Sequence, residues 1–319
     1  MRFKFLIKLG LISLITACET KINTPSEKLI NESNDTAENI LEDDTAVAEE
    51  LQEETYISDF TQAGPYEILE ETRYTHVTNC TNMKYSVYIP KDIINPPVVV
   101  LGHGFARGPD VMAGWAEHLS SWGVEVLLPT LCHYNIFSGV DHEMNGQNMK
   151  ELAYAHGSSQ VVYAGHSAGG LAAIIAASLD NNNLGVLGLD ATDTQNIPNV
   201  PDLIGQQYAR EINSQAFSLI GEPSSCNAEN NGINLFNLMN NYSIIKVVDS
   251  DHCDFESPTD LGCTLTCENN NASFSDEEIR TVIFELGTVA ILHLTNLSND
   301  SISVWEDAIL NSSLIQRID

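Results

Sequence analysis

From residue 85 onward, short apolar runs rich in β-branched residues alternate with longer segments whose apolar positions recur at helical spacing. That alternation constrains the chain to an α/β fold, because parallel neighbouring strands need a long return and a helix supplies it. Residues 85–89 read as an early strand, broken by Pro96-Pro97, and residues 98–101 are the continuous apolar run of a strand covered on both faces. Residues 109–122 place Met112, Trp115, Ala116 and Leu119 on one helical face, Gly123 stops them, and 124–128 is the next strand. Further helices are expected over 143–156, 168–179 and 278–294, and further strands over 160–164, 184–189 and 243–248. Hydrophobic residues at 43% are enough to bury the core such a sheet needs.

Between the strand at 160–164 and the helix at 168–179 lies Gly165-His166-Ser167-Ala168-Gly169-Gly170. G-x-S-x-G is short enough to arise by chance, so its setting decides. A strand before the serine, glycines on both sides and a helix after it are what a nucleophile elbow requires. The glycines permit the tight turn, and the helix turns its first amides toward a developing oxyanion.

A serine there is inert unless a histidine takes its proton and a carboxylate holds that histidine's tautomer. With the order nucleophile, acid, histidine, only His252 and His293 of the nine histidines follow Ser167. His293 falls within the apolar helix at 278–294 and reads as structural; His252 follows a strand in a polar loop and is the expected base. Asp190 ends the apolar run at 184–189 and is the favoured acid, with Asp193 as competitor. Asp249 and Asp251 stand too close in sequence to His252 to orient its ring. Asp251, Asp254, Glu256 and Asp260 read as a solvated acidic loop. Oxyanion donors are expected from the amides of Ala168 and of Phe105, the latter in Gly102-His103-Gly104-Phe105 after the strand at 98–101. Tyr134, Phe137 and His166 are expected to contact substrate, whereas Met112 and Trp115 belong to the core.

The chain carries 44 acidic against 14 basic residues, a formal net charge of −30, which argues against nucleic-acid binding. Basic residues in 1–8, an apolar stretch at 9–15 and Ile15-Thr16-Ala17-Cys18 resemble a bacterial lipoprotein signal over 1–17, with Cys18 as the lipidated first residue. Residues 18–55 are acid-rich and read as a disordered tether, leaving 56–319 as the folded part. The expected location is the bacterial cell envelope, with the membrane reached only through the lipid, or secretion. Cys80, Cys132, Cys226, Cys253, Cys263 and Cys267 remain, an even number consistent with disulfides in an oxidising compartment. A competing zinc set of His252, Cys253, Cys263 and Cys267 matches no zinc spacing, and no metal or cofactor is expected.

Taken together, Val98 to Phe105, Trp122 to Pro129, Gly165 to Gly170, Gly188-Leu189-Asp190, Gly221-Glu222-Pro223 and Asp251-His252-Cys253-Asp254-Phe255 resemble the α/β-hydrolase superfamily, in the branch of chlorophyllases and cutinase-type polyester hydrolases. The resemblance runs from about residue 64 to the carboxyl terminus. It implies an α/β-hydrolase fold in one domain, with a mostly parallel central sheet and helices on both faces. It also implies metal-free carboxylic-ester hydrolysis by Ser167, Asp190 and His252; a monomer acting on a small or polymeric ester is expected. Ala168 departs from the arginine usual after the nucleophile in chlorophyllases. The alternatives are a surface-tethered binding protein that keeps the scaffold without catalysis, and, among enzymes, a lipase- or phospholipase-like acyl hydrolase.

Overall fold

The computed structural model describes residues 59–135, 139–197, 200–267 and 272–318. The signal over 1–17, Cys18, the tether over 18–55 and Phe137 lie outside the described residues.

Two long strands open the fold, β1 (Ile68–Val77) and β2 (Cys80–Pro90), joined by a two-residue turn in which Asn79 adopts φ 59°. Then follow β3 (Val98–Gly102), α1 (Ala113–Ser121), β4 (Glu125–Pro129), a short ribbon of β5 (Tyr134–Asn135) and β6 (Gly139–Val140), and α2 (His142–His156). The middle of the chain supplies β7 (Val161–His166), α3 (Ala168–Leu179), β8 (Gly185–Leu189), α4 (Gly205–Ala209), β9 (Gln215–Ile220) and α5 (Ile233–Phe236). It closes with β10 (Tyr242–Val247), α6 (Leu261–Cys267), α7 (Asp276–Leu294), α8 (Ser301–Asn311) and β11 (Ile315–Ile318). Among the described residues, nine strands form one sheet in the order β1-β2-β4-β3-β7-β8-β9-β10-β11. From β4 to β10 every pairing is parallel, while β2 and β11 run antiparallel to the strands they join.

The period-two alternation of strand side chains builds a core on each face. Val99, Leu101, Val162, Ala164, Leu187 and Leu189 pack with Trp115 of α1, Ile283 of α7 and Trp305 of α8. Their neighbours Val98, Val100, Val161, Tyr163 and Val186 pack with Met149 of α2 and Ile174 of α3 on the other face. Met112 and Trp115 are fully buried as expected; the Trp115 indole donates to the Phe255 carbonyl at 2.9 Å. The expected helix at 109–122 begins instead as a 3-10 turn over Pro109–Met112, proline being favoured in a first turn that leaves its missing donor unneeded.

The described cysteines form three disulfides, Cys80–Cys132, Cys226–Cys267 and Cys253–Cys263. No described helix is long and apolar enough to cross a membrane.

Phe217 is wedged in β9 between the Trp305 ring at 4.7 Å and the His293 ring at 5.8 Å. Phe217→Ala is expected to lower the unfolding free energy by about 3–5 kcal/mol, read from urea denaturation, because the cavity lies where sheet and helices cannot collapse.

Candidate active site

The carboxyl ends of β7, β8 and β10 lie along one edge of the sheet, the edge at which open α/β sheets bind ligands. β7 runs into Ser167, which caps α3 with φ 57° and ψ −125°, a strained conformation for a residue with a side chain. The strain is held by main-chain contacts: the Ser167 amide donates to the Leu189 carbonyl at 3.1 Å, and its carbonyl accepts from Thr192 at 3.2 Å. Side chains are excluded around it. A Cβ at Gly165 would drive into the main chain of Gly169, and one at Gly169 into the carbonyl of Gly102. The turn therefore depends on glycine at both places.

β8 ends at Asp190, also at positive φ (44°), and its carboxylate is 1% exposed. Asp190 Oδ1 accepts the Gly221 amide at 3.0 Å, Oδ2 accepts Asn227 Nδ2 at 3.1 Å, and the same Oδ2 lies 2.6 Å from His252 Nδ1. An ionised carboxylate only accepts, so His252 carries its proton on Nδ1 and leaves the Nε2 lone pair for a proton from elsewhere. His252 opens a 3-10 turn whose cap is reciprocal: Asp251 accepts the amides of Cys253 and Asp254, and Asp254 Oδ2 accepts the Asp251 amide at 2.9 Å. Ser167 and His252 line one cavity of about 310 Å³. The structure thus pairs Asp190 with His252 and places Ser167 and His252 on one cavity.

Asp193, the competing acid, lines the same cavity but is bonded to other partners than His252. Its Oδ1 accepts the amides of Thr194 at 2.8 Å and Gly205 at 2.9 Å. His293 sits on α7 and bonds Gln215 Oε1 at 3.0 Å, among residues that do not line this cavity.

Phe105 and Ala168 both line the cavity. Ala168 is the first residue of α3, where amides have no acceptor within the helix. The loop before Phe105 lies against Ser167: a Cβ at Gly104 would stand 3.3 Å from Ser167 Cβ. His103 anchors that loop. The Leu131 amide donates to its Nε2 at 3.1 Å, so its Nδ1 carries the proton and donates to the Gly104 carbonyl at 2.9 Å. Burial pushes its pKa down to about 4, and the Gly104 bond opposes that only in part.

Three expectations need correction. Tyr134 does not line the cavity; its ring packs edge-on to His103 and its carbonyl accepts the Ala106 amide at 3.3 Å, so it braces the Phe105 loop. His166 does line the cavity, yet it is 1% exposed, and its Nε2 donates to the His252 carbonyl at 2.9 Å, so its clearest work is to hold the His252 main chain. The acidic loop is not wholly solvated. Asp254 is buried and pairs with Arg280 at 2.9 Å, and Glu256 is buried beneath Arg107, which grips it with Nε at 2.7 Å and Nη2 at 2.6 Å. Sequence reasoning missed Arg107 and Glu256 because they stand 149 residues apart and neither falls in a motif. The zinc set also fails, since Cys253, Cys263 and Cys267 are consumed in disulfides and offer no thiolate.

No family model matches the chain, and no curated protein sequence matches it.

Asp190→Asn, which keeps the shape but lets His252 take the wrong tautomer, is expected to lower turnover of a nitrophenyl ester on the order of 10³- to 10⁴-fold in a folded protein; a loss under about tenfold contradicts the pairing. A second expectation concerns acid. His103 has an ordinary value of 6.5 and a folded value near 4, so the unfolded chain binds its proton first and stability falls as pH drops through that window. Urea midpoints measured from pH 7 to pH 4.5 should decline less steeply in His103→Gln than in wild type.

Proposed function

We propose that this chain is a serine carboxylic-ester hydrolase of the α/β-hydrolase superfamily. The observation that carries the reading is a strained Ser167 and a His252 whose Nδ1 is held by Asp190 at 2.6 Å, both lining one cavity. The strand order β1-β2-β4-β3-β7-β8-β9-β10, with only β2 reversed among its inner strands, supports the fold assignment, as does a nucleophile placed between β7 and α3.

In this reading His252 Nε2 takes the Ser167 proton as Oγ attacks the ester carbonyl. The tetrahedral oxyanion is held by the amides of Phe105 and Ala168. His252 then protonates the leaving alkoxide, leaving an acyl group on Ser167. Water, deprotonated by the same nitrogen, attacks that acyl group, and the imidazolium returns the proton to Ser167 Oγ as the bond to the acyl carbon breaks and the acid leaves. Asp190 stays ionised throughout and stabilises the imidazolium formed at each step; the Gly221 and Asn227 donors keep its lone pairs directed. No step calls for a metal.

Anchorage through a lipid on Cys18, with the catalytic unit reaching out on the acidic segment, is proposed with this activity from the sequence pattern alone.

A fluorescent fluorophosphonate is expected to label the purified chain stoichiometrically at Ser167 by peptide mapping, and Ser167→Ala should abolish both label and hydrolysis of nitrophenyl butyrate. A folded wild-type chain that takes no label contradicts the reading and favours a binding protein on the same scaffold.

A further inference from the structure

The loop of His252 carries a carboxylate shut away from water. Glu256 stands four residues after His252, is 1% exposed and lines the cavity that holds Ser167. Its main chain is pinned on both sides. The Glu256 amide donates to the Cys253 carbonyl at 3.1 Å, the Ser257 amide to the Val111 carbonyl at 2.7 Å, and the Ser257 carbonyl accepts the Gly114 amide at 2.7 Å. Glu256 is therefore a fixed post, tied to the loop of His252 and to the start of α1.

The loop of Phe105 is bent into a tight turn and hangs on that post. The Arg107 amide donates to the Gly104 carbonyl at 3.3 Å, and Ala106 inside the turn adopts φ 55°. A residue with a side chain stays in that left-handed region only where its surroundings hold it there. One hold is the Ala106 amide on the Tyr134 carbonyl at 3.3 Å. The other is the Arg107 side chain, whose Nε and Nη2 reach the two Glu256 oxygens at 2.7 and 2.6 Å. Its Nη1 donates at 3.1 Å to Asp260, which also accepts the amides of Gly262 and Cys263 in α6. A planar guanidinium bonded twice to a planar carboxylate fixes direction as well as distance.

Stability does not account for the pair. Desolvation offsets most of the attraction between buried charges, and apolar side chains of the same volume would join the two loops as firmly. Such packing lets loops slide past one another, whereas a two-pronged bond does not. The groups whose relative placement the reaction depends on are those these loops carry: the Phe105 amide, which receives the oxyanion, and His252, which takes the proton in the same step.

We infer that Arg107 and Glu256 are a positioning pair: they set the Phe105 amide at a fixed distance and angle from His252, and so act on the transition state rather than on substrate binding. This deepens the esterase reading and rests on it.

The test removes the bond without stranding a charge. In the full chain carrying both Arg107→Met and Glu256→Leu, the urea midpoint is expected to stay at or above that of wild type, since apolar replacement of a buried pair is neutral or stabilising. The kcat for nitrophenyl butyrate should nonetheless fall on the order of 10²-fold, with KM changed less than about threefold. Butaneboronic acid, whose boron bonds the Ser167 oxygen as His252 takes the proton, mimics the tetrahedral state; its inhibition constant should rise by about the factor by which kcat falls. Arg107→Lys, which keeps the charge without the two-pronged grip, is expected to lose on the order of tenfold or more in kcat. Wild-type kcat in the double variant or in Arg107→Lys overturns the inference. So does a loss of kcat that follows a loss of the urea midpoint, or one that leaves boronate affinity intact. A wild-type chain without turnover sinks the esterase reading and takes this inference with it, whereas an active wild type equalled by the double variant sinks this inference alone.

Discussion

The site depends on how closely three stretches of main chain approach one another. β3, β7 and the start of α3 meet at Gly102, Gly165 and Gly169: an added carbon at Gly165 or Gly169 would collide with a neighbouring backbone, and one at Gly102 would press on the main chain of Gly169 at 3.0 Å. That closeness turns the chain sharply enough to hold Ser167 at positive φ, on the wall of the cavity. Local strain of this kind persists only where the surroundings over-determine it. Here the parallel register from β4 through β8 does so, with Gly102 opposite Gly165 and His166 opposite Leu189.

Around that fixed point, loops far apart in sequence are tied to each other. Arg107, just past Phe105, clamps Glu256, four residues after His252. His166 holds the His252 carbonyl, Cys253 is bridged to Cys263, and Cys226 to Cys267, beside the Asn227 that steadies Asp190. A buried ion pair such as Arg107–Glu256 adds little net stability, since desolvation offsets most of the attraction, but removing one partner strands the other. Its worth at this site is geometric: the loop of Phe105 and the loop of His252 cannot drift apart without breaking it.

Much of this was legible in the sequence, and the exceptions have physical reasons. Continuous apolar strands such as β3 and β8, the alanine-rich α3 and the elbow motif announce themselves, because a strand covered on both faces has no freedom to be polar. β1 escaped notice because Glu70, Glu71, Thr72 and Arg73 break its alternation on an exposed edge of the sheet. Asp190 was separable from Asp193 only as the residue that ends the strand; what excludes Asp193 is its bonds to the Thr194 and Gly205 amides, which no periodicity encodes. The loops resisted most. Asp254 and Glu256 look like solvent-facing acids until Arg280 and Arg107 are seen to cover them, and those partners come from 26 and 149 residues away.

The claim at the centre of the account is that Ser167 carries the acyl group between two half-reactions. Rapid-quench mass spectrometry of the chain mixed with excess nitrophenyl butyrate tests it most directly. A burst of nitrophenol matched by a transient mass gain of one butyryl group, mapped to the peptide holding Ser167, is the predicted result. Turnover with the acyl group found on another residue, or acid released while Ser167 is never acylated, would contradict it.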